Sequence, residues 1–327
     1  MASGQRRSDL LKFHRPKLRL PSGSKVELTT TLTPESKQCI KNLAGYKAPK
    51  LPLRIPKSRT AAVLVALFVG RKGDLYVLLS RRATTLRTYA GDTSLPGGKW
   101  EPGDRGVEWT ARREAYEEIG LPLDHQKVPL LCILEPFLAA TQVIVTPVVV
   151  LVLDNTIRPL LNSQEVTSVF SHPLVSFLSD EPPFPQDTET LEVRYHTYHD
   201  IKWAGLDGDF RMHRFLTGRE AGGTKPIFGL TASILIRVAE IGYDHPPDFK
   251  VSAPDQLSQP ERIAHMLKHH PVFREAATKE GINPDKTPDM STFQPQRRRR
   301  DERRRRKDST NSQGKLIDPR LRVRAKL

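Results

Sequence analysis

Apolar positions along the chain follow two rhythms, and these divide it into strands and helices. Residues 61–69 (AAVLVALFV) form an unbroken apolar run, Gly70 to Gly73 interrupt it, and residues 75–79 (LYVLL) resume it, which predicts strand, tight turn, strand. After a Gly/Pro-punctuated loop over 91–106, residues 108–119 (EWTARREAYEEI) predict a helix closed by Gly120, because glycine suits a helix C-terminus. Residues 130–137 and 143–153 predict two further strands. Pro147 has no N–H to give to a ladder and argues for an edge, a bulge or a break in the second. Residues 172–178 read as a short helix, 191–198 as a strand through the alternation of Val193, Tyr195 and Thr197, and 230–241 (LTASILIRVAEI) as an amphipathic helix. Upstream, Thr33 and Pro34 give a start signal for a helix over 35–46. Strands and helices in this order predict an α/β fold.

The flanks lack this periodicity. Residues 1–57 are otherwise rich in Lys, Arg and Pro and read as a basic N-terminal arm; beyond about 245, Pro, Asp, Gln and Lys dominate, and 297–307 (RRRRDERRRRK) is low-complexity. The expected division is an arm at 1–57, a folded domain at 58–245 and a flexible basic tail at 246–327. With 52 Lys+Arg against 37 Asp+Glu, the net charge of +15 first suggests an anionic partner. Residues 1–57 and 291–327 each carry +10, however, so the body at 58–290 stands at −5. A basic groove in the body has no compositional support, and nucleic acid is expected to engage only the basic tail. No apolar run approaches the roughly 18 residues of a membrane-spanning helix, so no membrane span is expected. The two cysteines, Cys39 and Cys132, have no partner at zinc or redox spacing, and Cys132 reads as core.

The chemistry concentrates in residues 113–121, REAYEEIGL. Glu114, Glu117 and Glu118 stand at i, i+3 and i+4, which gathers three carboxylates on one helical face. Such a face is costly unless cations sit among the carboxylates, and hard divalent ions take carboxylate oxygens while keeping coordination positions for water and phosphate. Arg113 neutralises part of the cluster and can orient a glutamate. Upstream, Leu95-Pro96-Gly97-Gly98 predicts a tight turn whose backbone can approach a phosphate or a metal. His172 and the pair His269-His270 are not expected as ligands, since no second cluster is spaced with them.

These residues carry a resemblance. Residues 97–121 resemble the Nudix box, the loop-helix signature of hydrolases that split nucleoside diphosphates linked to another group. Its second half is complete in residues 113–121; in the first, Asp104 stands where the family usually has Glu, with one extra residue before Arg113. Residues 78–98 are similar to the coenzyme A diphosphatase branch: Leu78, Leu79, Arg82, Ala83, Arg87, Gly91, Pro96, Gly97 and Gly98 match in register, with Ser80 and Leu95 replacing Thr and Phe. Residues 165–174 and 227–232 also look like that branch, so the resemblance covers roughly 60–242.

The resemblance implies an α/β/α sandwich with a mixed sheet, and Mg²⁺ or Mn²⁺ held by Glu114, Glu117, Glu118 and the Gly98 carbonyl. It implies hydrolysis of coenzyme A or its derivatives to 3′,5′-ADP and 4′-phosphopantetheine or its acyl form. Glu117 is the favoured base with Glu165 as rival, Arg113 orients, and Asp104 is a further candidate for metal or water. Arg82, Arg87 and Lys99, with Gly97 and Gly98, are expected at the substrate phosphates; Trp100 and Tyr89 either stack on adenine or pack their neighbours. Hydrolysis of oxidised nucleoside triphosphates or of capped RNA is the alternative, and a non-catalytic interaction module a further one, although the latter usually loses its glutamates. Ala325-Lys326-Leu327 resembles the Ser-Lys-Leu peroxisomal address read by an import receptor. The expected location is therefore the peroxisome, with mitochondrion and nucleus as alternatives.

Overall fold

The computed structural model describes residues 17–19, 25–27, 31–154, 157–184, 193–203, 208–291 and 293. Strands β1 (Lys17–Arg19) and β2 (Lys25–Glu27) pair as a separate antiparallel ladder. Helix α1 (Pro34–Gly45) starts where Thr33 and Pro34 predict it, the Thr33 hydroxyl accepting the Ser36 N–H at 3.1 Å. The central sheet then begins with β3 (Thr60–Val69) and β4 (Leu75–Arg82), joined by the expected turn, in which the Gly70 N–H reaches the Asp74 carbonyl at 2.8 Å.

Five main strands lie in the order β10-β4-β3-β9-β7, where β7 is Leu130–Ile133, β9 is Ile144–Val152 and β10 is Val166–Pro173. Only β3 and β9 run parallel, from Thr60 opposite Ile144 to Phe68 opposite Val152. Short strands β5 (Thr93–Ser94), β6 (Gly97–Lys99) and β8 (Phe137–Leu138) add to β4, β3 and β9. The sheet is thus mixed.

β3 reads as a continuous apolar run because both its faces are covered. Ala62, Leu64 and Ala66 pack with Ala111, Ala115 and Ile119 of α2 (Val107–Ile119). Val65, Leu67 and Val69 share the opposite core with Cys39, Ile40 and Leu43 of α1 and with Leu235 and Val238 of α3 (Gly229–Tyr243). This is the expected α/β/α layering. β11 (His196–Lys202), β12 (Asp209–Phe215) and β13 (Ile227–Phe228) form a second, antiparallel sheet leading into α3.

Pro147 produces no edge, bulge or break in its own strand, contrary to expectation: β9 runs unbroken through it, and the interruption falls in the neighbouring strand. Pro147 lies within the internal strand β9, opposite the interval between β7 and β8, where its carbonyl accepts the Leu134 N–H at 3.0 Å. The missing donor therefore faces a gap, and the predicted single strand over 130–137 is two short ones.

The structure corrects further expectations. The folded domain does not begin at 58: the helix predicted within the arm, α1, is part of the main core, and a Cβ on Gly242 of α3 would fall 2.4 Å from the Cys39 sulfur, so the two helices touch closely. The tail begins later than 246. Helices α4 (Gln259–His269) and α5 (Pro271–Lys279) bury Ile263, Met266, Leu267 and Phe273 against Leu138 and Ile144, and one compact unit extends to Ser291. The short helix over 172–178 is a strand end followed by a single 3-10 turn, Leu174–Leu178, because β10 continues through His172 in register with Val77. Finally, β11 starts at His196, so Val193 and Tyr195 precede it, and residues 191–192 of the expected strand lie outside the described residues. The Arg run and Ala325-Lys326-Leu327 lie outside the described residues. No described helix is long and apolar enough to cross a membrane.

Candidate active site

The site is built where β6 lies against α2. Gly98 on β6 pairs with Ala62 of β3, and a Cβ there would stand 2.3 Å from a carboxylate oxygen of Glu114. Glycine is needed at this position so that the glutamate can rest on the strand backbone. Gly97 beside it is needed for another reason, since its Cβ would meet the Ala62 carbonyl at 2.4 Å. The far end of α2 closes on Gly120 in the left-handed region, at φ 69°, as predicted.

Arg113 is the hub of the helix face. Its guanidinium donates to both oxygens of Asp104, at 3.0 and 3.1 Å, and to the Lys99 carbonyl at 3.1 Å; it also contacts Glu114 and Glu117 at 3.1 Å each. The bonds to Asp104 keep this guanidinium firmly protonated, against the effect of burial. Asp104 in turn accepts the Glu101 N–H at 3.0 Å and the Thr110 hydroxyl at 2.9 Å. Burial opposes its ionisation, yet the bonds from Arg113, Glu101 and Thr110 hold it below the usual carboxylate range. With its oxygens engaged in this way, Asp104 anchors Arg113.

Glu118 lies deepest, 5% exposed, and accepts the Gly97 N–H at 3.3 Å. Burial pushes its carboxyl up to about 8; Arg82, at 4.0 Å from its other oxygen, works against this, while Glu114 and Glu165 add to it. Glu114 is also raised, first by burial, with Arg113 opposing. Glu117 is half exposed. Glu165 arrives from a connecting segment tied to α2, whose Glu118 carbonyl accepts the Asn162 N–H at 3.0 Å.

This donor set fits a hard divalent ion. Glu114 and Glu118 are carboxylates withdrawn from water, where burial outweighs the arginine beside each, all the donors are oxygens, and Gly98 leaves Glu114 against the turn's backbone. Among the described residues the side chains do not stand as a ready set of three ligands. Arg113 spans Glu114 and Glu117 while Arg82 lies over Glu118.

The structure therefore brings together Gly97, Gly98, Arg82, Asp104, Arg113, Glu114, Glu117, Glu118 and Glu165. Lys99 contributes its carbonyl, and its side chain is exposed. Arg87 stands exposed on the β4–β5 loop and makes no ion pair among the described residues. Trp100 packs locally, donating to the Asp104 carbonyl at 3.3 Å with Lys57 over its ring, and Tyr89 is half exposed. Thr110 and the Glu101 N–H, which complete the Asp104 anchor, have no signal in the sequence beyond lying near it.

The sandwich and the glycine-backed glutamate helix form an acidic site suited to a divalent ion, and comparison with known proteins gives the family. The NUDIX domain family model matches residues 58–216. Nudix hydrolase 22, chloroplastic, of Arabidopsis thaliana is 36% identical over 229 residues, covering 68% of this chain and 70% of that one. A peroxisomal coenzyme A diphosphatase of Mus musculus is 34% identical over 195 residues, covering 59% and 75%. Nudix hydrolase 15, mitochondrial, of Arabidopsis thaliana is 40% identical over 199 residues, 61% of this chain; the match spans 64% of that relative, slightly less than two thirds of its length. The chain belongs to the Nudix hydrolase family.

Proposed function

We propose that this chain hydrolyses the diphosphate bond of coenzyme A or its derivatives, releasing 3′,5′-ADP and 4′-phosphopantetheine or its acyl form. The observation that carries this reading beyond general Nudix chemistry is the course of residues 78–98. Arg82 ends β4 at 4.0 Å from Glu118, and the chain returns through Gly97 and Gly98 to Glu118 and Glu114. The segment that resembles the coenzyme A branch is thus folded onto the glutamate helix, and the mouse relative bears the name of that activity.

Hydrolysis joins a water oxygen to one phosphorus and breaks the bridging P–O bond, with a proton leaving the water. Mg²⁺ or Mn²⁺ held by Glu114, Glu117, Glu118 and the Gly98 carbonyl would neutralise phosphate oxygens and lower the pKa of bound water. Arg113, fixed by Asp104, keeps Glu114 and Glu117 in place. Glu117, half exposed and held by Arg113 through one oxygen, takes the proton, with Glu165 as the other candidate. Arg82, Arg87 and Lys99 supply cations for the substrate's phosphates. We assign the protein to the peroxisome, as the mouse relative's name suggests, with the mitochondrion of the Arabidopsis relative as the alternative.

The test is hydrolysis of coenzyme A, acyl-CoAs, oxidised dGTP and capped RNA with Mg²⁺ or Mn²⁺, beside Glu117→Gln and Glu165→Gln, with products identified by mass. Release of 3′,5′-ADP that depends on the metal and falls in one of the variants is expected. Preference for oxidised dGTP or capped RNA would overturn the substrate, and no turnover of any of them would overturn the enzymatic reading.

A further inference from the structure

The loop over residues 83–92 leaves β4 and returns at β5 with Arg87 on its outer course. At its foot the Arg82 N–H reaches the Asp92 carbonyl at 2.9 Å, and the Ala83 N–H reaches the Glu165 carbonyl at 2.8 Å. The far side of the loop is less regular. Tyr89 is held in the left-handed region at φ 56°, a conformation that costs a residue with a Cβ, and Gly91 follows at φ 71°. A backbone of this kind persists where its surroundings enforce it.

Locally the Asp92 N–H closes the turn on the Tyr89 carbonyl at 3.1 Å, and a second hold on the same residues comes from a distant part of the chain. Lys225 lies after the matched NUDIX domain ends at residue 216, on the segment between β12 and β13. Its ammonium donates to the Ala90 carbonyl at 2.8 Å and to the Asp92 carboxylate at 2.5 Å. The segment that carries it is tied down independently: the Thr93 hydroxyl donates to the Lys225 carbonyl at 2.6 Å, and Arg81 reaches the Gly222 carbonyl at 3.4 Å. The Asp92 side chain is 12% exposed, whereas that of Lys225 is 51% exposed. An ion pair with one half-exposed partner adds little to global stability. What Lys225 fixes is the position of residues 89–92, and hence the course of the loop.

We propose that Lys225 is a positioning residue, a latch from the connection between β12 and β13 that holds the 83–92 loop in the form that presents Arg87 to the substrate. Its effect on substrate binding rests on the proposed function; its effect on the loop does not. Lys225→Met keeps the aliphatic stem and removes both bonds, and Lys225→Arg keeps a charged donor.

In steady-state hydrolysis of coenzyme A by the full chain, Lys225→Met is expected to raise KM about tenfold and to leave kcat within about twofold, with substantial recovery in Lys225→Arg. In hydrogen exchange, peptides spanning 84–92 are expected to exchange about tenfold faster in Lys225→Met, while peptides from 107–119 stay unchanged. Unchanged exchange over 84–92 would overturn the latch, as would a fall in kcat at constant KM. If the wild-type chain does not hydrolyse coenzyme A, the substrate reading fails and the exchange comparison still decides the role of Lys225.

Discussion

Replacing Gly98 by alanine separates the site from the scaffold. The added Cβ would lie 2.3 to 2.6 Å from the Glu114 carboxylate, which must withdraw by about 1 Å to reach ordinary contact. The colliding atoms end a flexible side chain, so the glutamate yields and the strand does not. Global stability should fall by no more than about 1 kcal/mol, while a displacement of about 1 Å at a group that positions the reacting atoms costs roughly 100-fold in rate. Gly97→Ala is the contrasting case. Its Cβ would meet the Ala62 carbonyl at 2.4 Å and the Val63 Cα at 2.7 Å, both backbone atoms of the central strand, so it should lower Tm strongly. The assay is turnover of whichever diphosphate the wild-type chain cleaves, beside thermal unfolding of all three proteins. Full activity in Gly98→Ala would refute the requirement for Glu114 against that backbone. A Tm loss in Gly98→Ala equal to that in Gly97→Ala would refute the claim that its contact is local.

Asp104→Asn leaves Arg113 without its bidentate acceptor, and kcat should fall about tenfold with a stability loss of about 2 kcal/mol, read by steady-state kinetics and urea unfolding. Acid should destabilise the fold through His172 and His213, which burial lowers to about 3 and about 4. The unfolded histidines take up protons near pH 6.5 and the folded ones do not, so stability falls as pH falls below 6.5, by about 1.4 kcal/mol per pH unit for each. The raised carboxyl of Glu118 runs the other way, gaining stability as pH falls from about 8, so the test is the difference between wild type and His172→Gln at each pH. That difference should shrink between pH 6.5 and 5, and a constant difference would contradict a neutral, buried His172.

The parts of this fold that the sequence makes legible are those that leave a pattern within their own segment. The unbroken run of β3 follows from burial on two faces, and the i, i+3, i+4 glutamates follow from helical geometry. What is hidden depends on partners far along the chain. α1 looks like part of a basic arm because Cys39, Ile40 and Leu43 form a narrow stripe whose use appears only once Gly242 of α3 lies against it. The signal for α4 was present in the Ser258–Glu261 capping box and the spacing of Ile263, Met266 and Leu267, but the surrounding Pro, Gln and Lys residues mask it.

The same distinction applies to Asp104. The resemblance to the Nudix box offers it as a candidate for metal or water, and a sequence reports charge and separation and not which partners claim the oxygens. In the fold, Arg113 takes both of them, and Thr110 and the Glu101 N–H add further bonds. The shorter side chain suits this anchoring, since every partner lies within nine residues of Asp104 and on the near side of α2 or its approach. A cation center and its supporting ion pair thus draw on the same residue type for opposite purposes. At Glu114 and Glu118 burial outweighs the arginine beside each, which leaves the carboxyls raised where a divalent ion would hold them ionised, whereas at Asp104 the bonds outweigh burial and Arg113 is fixed beside the other two.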